Sequence, residues 1–368
     1  MTRASAFLLS VVVLAAPRVL PAQAATTVAR TGATFESYSF GTGLAFSRIS
    51  EFTIPATLTQ RLGDRIVLDV GTAFVSASVR TVGGNGTIDH SGLVDTDIRA
   101  TVALVPGKLV FSLIGTIPTG ATTVPDTTIP LFGATATDLL GFTTPSFGSG
   151  GGMSAGFASA FKMGTAWAVG AGASYRYGAS YTPVRGGSEL TPGGEIRARF
   201  GIEGPFGRGN YFRGALVFTT TAANDITGGD QSTIGDRVLA YAATSLPLGN
   251  SNLSVYGWDM RRIRARDSKF AVPRGNVLAL GARLERPLSP KATLAPLLEF
   301  RHELTGPGQN MQLLGLLVRA GSDLRYRLSN HATGVLQAQF AFGSIHNDSD
   351  QSVSVTGPRL GALIEWSR

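Results

Sequence analysis

From Phe52 to Arg61 the chain alternates with a period of two: Phe52, Ile54, Ala56 and Leu58 are apolar, while Thr53, Thr57, Thr59 and Arg61 are polar. Successive side chains of a strand point to opposite faces, so such a segment parts an oily environment from a wet one. The rhythm recurs almost to the C-terminus. Val94, Ile98, Ala100, Val102 and Leu104 alternate with Asp95, Asp97, Arg99 and Thr101. Ile196, Ala198, Phe200 and Ile202 alternate with Glu195, Arg197, Arg199 and Glu203. Leu316, Val318, Ala320, Leu324 and Tyr326 alternate with Arg319, Asp323, Arg325 and Arg327. A charge facing hydrocarbon costs about 2–4 kcal/mol near the bilayer midplane. The expected lumen-lining residues are therefore Asp95, Asp97, Arg99, Glu195, Arg197, Arg199, Glu203, Arg319, Asp323 and Arg325.

Short, turn-rich connections fall at Leu62–Asp64, Pro106–Gly107, Met163–Gly164, Pro205–Asn210, Pro247–Asn250, Pro287–Pro290 and Ser329–Asn330. Longer polar segments lie between them: Gly41–Ser47, Gly83–Gly92, Pro118–Gly150, Ala179–Gly193, Ala222–Thr233, Arg264–Gly275, Thr305–Asn310 and Ser344–Ser352. Strict alternation of short turns and long loops is the habit of bacterial outer-membrane barrels, with turns periplasmic and loops external. The expected fold is an all-β, transmembrane, antiparallel up-and-down β-barrel of about sixteen strands, or about fourteen should the strand around Gly32–Phe40 and one neighbour fail. Both termini then lie in the periplasm.

Composition narrows the class. Hydrophobic residues make up 43%, charged residues only 15%, and Gly accounts for 47 of 368 positions. The longest apolar runs, such as Leu313–Val318, fall well short of the roughly 18 residues a helical span needs. A wall that offers half of each strand to lipid explains this mixture better than a secreted sandwich does. The N-terminus sets the compartment: Arg3, the apolar stretch Ala6–Ala16 and Ala22-Gln23-Ala24 describe a secretory signal peptide over residues 1–24. The expected location is the bacterial outer membrane, with residues 25–368 forming one barrel domain.

Cysteine is absent, which excludes disulfides, thiolate metal sites and a lipid-modified N-terminus. Net charge is +8, carried almost wholly by Arg, since only Lys108, Lys162, Lys269 and Lys291 are lysines. Arg grips phosphate and carboxylate with a bidentate fork, which in this compartment points to lipopolysaccharide or an anionic solute rather than nucleic acid. The cluster Arg261, Arg262, Arg264 and Arg266 falls at the external end of a strand and is the candidate lipopolysaccharide contact. Trp167, Trp258 and several Tyr and Phe near strand ends are candidates for the interfacial girdles. The last strand ends in Leu360, Ala362, Ile364 and Trp366, similar to the signal read by barrel-assembly machinery, though Ser367-Arg368 follow the aromatic.

Catalytic chemistry finds little footing. The four histidines are His90, His302, His331 and His346, and no Ser accompanies His302 on its strand. His90 with Asp89, Asp95 and Asp97, and Asp225 with Asp230 and Asp236, match no dedicated metal spacing. The chain is expected to be no enzyme and to carry no cofactor or metal. The longest loop, Pro118–Gly150, is different: Leu131, Phe132, Leu139, Leu140, Phe142 and Phe147 are too apolar for a freely solvated loop. It is expected to fold over or into the barrel mouth as a constriction or an apolar binding patch.

Gly92-Leu93-Val94-Asp95-Thr96, followed after a hairpin by Ile117-Pro118-Thr119-Gly120, resembles a Gly-Leu-Gly-Asp then Pro-Thr-Gly pattern. That pattern occurs in outer-membrane channels grouped with phenol and aromatic-degradation (meta-pathway) transporters, distantly akin to long-chain fatty-acid transporters. Ser50–Pro55 is similar too; Val94 replaces the second Gly, and the Asn-Pro-Ala motif of fatty-acid transporters is missing. The resemblance implies passive uptake of small hydrophobic or aromatic molecules. The leading expectation is thus a channel whose partners are outer-membrane lipid, lipopolysaccharide, the assembly machinery and a small solute. A structural or surface-interaction barrel is the alternative, and a lipid hydrolase the least favoured.

Overall fold

The computed structural model describes residues 26–83, 86–207, 209–229, 235–263, 274–306 and 311–368. The segment expected from its sequence to be a signal peptide, residues 1–24, lies outside them. The wall starts with β1 (Thr27–Phe40), β2 (Phe46–Leu62), β3 (Ile66–Thr81), β4 (Thr87–Leu93), β5 (Thr96–Val105) and β6 (Leu109–Ile117). It continues with β7 (Gly152–Met163) and β8 (Trp167–Gly178), and, past a two-residue loop strand β9 (Leu190–Thr191), with β10 (Glu195–Phe206) and β11 (Asn210–Thr221). After the loop strand β12 (Asp225–Ile226) come β13 (Arg237–Leu248), β14 (Ser251–Arg262), β15 (Arg274–Pro287) and β16 (Ala292–Gly306). The last three are β17 (Gln312–Arg327), β18 (Ala332–His346) and β19 (Ser352–Ser367).

Each wall strand pairs antiparallel with its chain neighbour, and β1 pairs with both β2 and β19, which closes the sheet. β4 and β5 both pair with β3 and form one interrupted wall strand, so the barrel has 16 strands. Closure leaves no open edge, as a sheet in hydrocarbon requires. The first strand is as well paired as any, which removes the fourteen-strand alternative. The short turns lie where Gly and Pro cluster: Gly63, Gly107, Gly164, Gly207 and Gly249 have φ between 61° and 70°, a region tight hairpins need and Gly enters freely.

One predicted loop is largely wall. Of Gly83–Gly92, residues Thr87 onwards belong to β4, whose Thr87–Leu93 register follows β3 residue by residue. The break comes at Val94 and Asp95. Before it, Gly92 and His90 share the inner face with Val75 and Ala77; after it, Asp97 and Arg99 share that face with Gly71 and Asp69. Across the break Val94, Asp95 and Thr96 stand against only Thr72 and Ala73, and this one extra residue shifts the in/out phase of the strand, as a bulge does.

The outer face is apolar, with Phe52, Ile98, Phe157, Phe200, Leu298, Leu336 and Leu360 among its exposed residues. The buried apolar cluster sits inside, where Ile49, Val75, Ala77, Val79, Leu317, Ala341, Val353 and Val355 of the wall meet Leu131, Leu139, Leu140, Phe142 and Phe147 of the long loop.

Candidate functional site

The loop between β6 and β7 enters the barrel and packs on the inner wall. It contains a short helix, α1 (Ile129–Thr135), whose Pro130 occupies the first turn, where a missing N–H costs nothing. Leu131, Leu139 and Leu140 are fully buried against β1, β3, β17 and β19, and Phe142 meets Tyr38 edge-on at 5.2 Å. Phe132 and Phe147 both contact the His90 ring, with centroids 5.4 and 5.1 Å away. Burial of several large side chains, each contributing about 1.5–3 kcal/mol, holds the loop inside rather than in solvent.

Polar anchors fix its position. Arg319 Nη2 and the Tyr38 hydroxyl both donate to the Leu140 carbonyl, at 2.9 and 3.1 Å, and Arg319 Nη2 also donates to Tyr38 at 2.9 Å. Arg301 Nη1 donates to the Asp138 carbonyl at 3.0 Å. Glu36 accepts from the Thr143 amide at 3.0 Å and from the Thr143 hydroxyl, and Glu51 accepts from the Thr144 amide at 2.9 Å. Behind these, Glu299 accepts from Arg301 and Tyr256 at 2.8 and 2.9 Å and lies 3.4 Å from Arg319. At Gly141 (φ 61°) an added Cβ would collide with the Arg301 guanidinium, so the close approach requires glycine.

The two ends of the loop are clasped together. Asp95 accepts from the Gly120 amide at 3.1 Å and from the Ser149 amide and hydroxyl at 2.6 and 2.7 Å. Thr119 donates to the Val94 carbonyl at 2.8 Å, and a Cβ at Gly120 would strike the Phe147 carbonyl. The Gly-Leu-Val-Asp and Pro-Thr-Gly motifs are therefore the two halves of one clasp. Asp95→Ala removes all three bonds, each worth about 1.5–3 kcal/mol to a charged acceptor. Limited proteolysis of the refolded protein is expected to cut within 118–150 far faster in this variant, while the barrel keeps its heat-modifiable migration.

The inner wall away from the loop carries the remaining charges. Register puts Asp97, Arg99, Arg176, Glu195, Arg197, Arg199, Glu203, Arg213 and Arg237 inside. Glu195 bridges Arg197 at 2.5 Å and Arg237 at 3.0 Å, Glu203 takes Arg213 at 3.3 Å, and Asp97 accepts from Thr116 at 2.6 Å. Arg199 is exposed to the lumen, and Arg99 acts on it as a like charge.

The sequence-predicted residues sort as follows. Asp97, Arg99, Glu195, Arg197, Arg199, Glu203, Arg319, Asp323 and Arg325 face inward, but Arg319 and Asp323 are buried in the wall network and under the loop rather than bathed by the lumen. Asp323 binds Arg283 at 2.7 Å. Asp95 is corrected from lumen lining to the clasp, because the break in phase turns it toward the loop ends. Arg262 is corrected too: it pairs across from Arg237 and Gly275 on the inner face and reaches Glu303 at 3.2 Å and Asp138 at 3.4 Å, away from any lipopolysaccharide. Arg261 faces out and is exposed, while Arg264 and Arg266 lie outside the described residues. Trp258 faces the lumen beside Tyr241, not the interface, because its partners Tyr241 and Ala279 are on inner positions. His302 is on the outer face between Leu278 and Leu316.

Sequence reasoning missed Glu36, Tyr38, Glu51, Arg301 and Arg359. The available signal was charge on strands whose inner positions are otherwise largely apolar, as with Arg359 of β19, which stands among Val353, Val355 and Leu363 and lies 3.7 Å from Glu36. Among the described residues no group of three or more His, Asp or Glu is placed to hold a metal. His90 is enclosed by phenyl rings and Asp95 is taken by the loop, so those two do not converge.

No family model matches the chain, and no curated protein sequence matches it. Solved structures of similar fold include the loop L8 deletion mutant of OmpT, an outer-membrane protein of Vibrio cholerae, at 15% identity and TM-score 0.44, covering 93% of this chain and 100% of that one. The outer-membrane channel DcaP of Acinetobacter baumannii is 11% identical with TM-score 0.43, covering 93% and 97%. An anion-selective porin from Comamonas acidovorans is 12% identical with TM-score 0.43, covering 94% and 99%. At these identities the likeness is one of barrel fold alone.

Proposed function

We propose that this protein is an outer-membrane channel for passive entry of small solutes, with the loop 118–150 setting the width of its lumen. One observation carries this reading. The loop's apolar side chains and carbonyls are fixed to one side of the inner wall, while the opposite side keeps charged residues, Arg199 among them, open to the lumen. A plug that served only to fill the barrel would be expected to cover those charges as well. The reading includes no catalytic step, no cofactor and no nucleic-acid partner; lipid, lipopolysaccharide and the assembly machinery are the partners such a barrel meets. Reconstitution in planar bilayers tests it: discrete, ohmic conductance steps are expected. Electrical silence together with no swelling of solute-loaded proteoliposomes would favour a structural barrel.

A further inference from the structure

Inside the barrel, two cationic side chains stand next to an apolar strip. Arg99 and Arg199 face the lumen, and among the described residues neither has an acidic partner within ion-pair distance. Of the acidic groups nearest in register, Glu195 is ion-paired to Arg197 and Arg237, while Asp97 and Asp69, the latter directly opposite Arg99, are turned to the Thr116 and Thr59 hydroxyls at 2.6 and 2.7 Å. Arg99 and Arg199 lie close enough across the lumen to act on each other as like charges, and Asp69, Asp97 and Glu195 offset them only from a distance, so an anion that comes between the two guanidinium groups is stabilised by both. Arg offers a planar fork matched to carboxylate geometry.

The strip begins on the strand beside Arg199. Arg199 pairs in register with Val217, Val217 with Leu239, and Leu239 with Met260, all on inner positions. One step along, Tyr241 pairs with Trp258 on the same face. Directly opposed residues keep their Cβ atoms about 4.5–5.5 Å apart, so these five side chains form a continuous surface. None is covered by the loop in the way Val75 or Leu317 is; each stays half-buried. Apolar side chains facing a wet lumen gain nothing from water. They gain from an apolar solute passing over them.

We infer that the lumen holds a binding site for small organic anions with an apolar body, aromatic carboxylates being the best-fitting class. The carboxylate sits between Arg99 and Arg199, and the ring lies on Val217, Leu239 and Tyr241. This deepens the channel reading and rests on it for the route by which the solute arrives.

The test is direct binding of benzoate to the refolded barrel by saturation-transfer NMR, with acetate and benzyl alcohol as single-feature competitors. Benzoate is expected to bind saturably and to be displaced by acetate or benzyl alcohol only at concentrations about tenfold higher or more, since each lacks one of the two contacts. Arg99→Gln with Arg199→Gln is expected to weaken benzoate about tenfold or more, with benzyl alcohol unchanged. Leu239→Asn is expected to weaken benzoate and leave acetate unchanged. Heat-modifiable migration verifies that each variant is folded. Benzyl alcohol binding as well as benzoate, or benzoate binding unaffected by the double Arg variant, overturns the site. Planar-bilayer conductance on the same samples separates the two claims: a conducting channel without benzoate binding sinks the site alone, and a silent barrel that binds benzoate sinks the channel reading alone.

Discussion

Deleting residues 129–142 is expected to raise single-channel conductance about twofold or more, because the conductance of a wet pore follows its narrowest section. The segment removed contains α1 and the buried Leu131, Leu139, Leu140 and Phe142. The barrel itself should survive, since closure depends on strand pairing and the pairing of β1 with β19 does not involve the loop. What the deletion exposes is an apolar patch, Val75, Val79, Leu317, Val353 and Val355, newly facing water. A milder variant separates width from stability. Glu36→Gln with Glu51→Gln keeps the shapes but replaces the carboxyl acceptors of three bonds to Thr143 and Thr144 with weaker amide ones. Frequent transitions between the parent and a larger conductance level are expected. Unchanged conductance in both variants would show that the loop does not set the width.

Phe200→Arg is expected to block assembly, whereas Arg199→Gln, one residue away, should assemble normally. Phe200 is exposed on the outer wall between Ala171 and Leu216, on a strand of 12 residues that spans the sheet. An Arg near the midplane costs about 2–4 kcal/mol, and Gln at a lumenal position that is already solvated costs little. Urea-dependent folding into lipid vesicles, followed by heat-modifiable migration, reports both. Equal yields for the two variants would mean that the in/out register of β10 is reversed. The same logic makes Leu298→Arg severe.

How far the sequence could be read depended on which face was in question. On β10, Arg197 and Arg199 inside and Phe200 outside follow from alternation, because there the inner face meets water and the outer face lipid. On β3 alternation misleads. Val75, Ala77 and Val79 form the apolar set and Ser76 and Ser78 the polar one, so the pattern points the valines to lipid. Register puts them inside, opposite Thr53, Glu51 and Ile49, because the docked loop turns that part of the lumen into a protein core. Asp95 belongs to the clasp for a related reason: the one extra residue before β5 changes phase, and no local feature announces which way its carboxylate turns.

The chain's own pattern determined the sheet. Period-two alternation, turn residues at one set of connections and longer polar loops at the other specify an antiparallel barrel of about sixteen strands, since those are local properties of dihedral preference and burial; the pairing of β1 with β2 and β19 fixes the number. What lies inside was decided by tertiary structure. Arg319 and Arg199 look alike in sequence, each an Arg alternating with apolar neighbours. One is buried, binding the Leu140 carbonyl and Tyr38; the other stands open to the lumen. The difference arises because a loop from β6 crosses to β17 and β1, strands distant in sequence, and covers one side of the lumen only. Contacts between residues as far apart as Tyr38, Leu140 and Arg319 leave no period in the sequence. Their physical trace is confined to the folded molecule, where burial on one side leaves the free charges on the other.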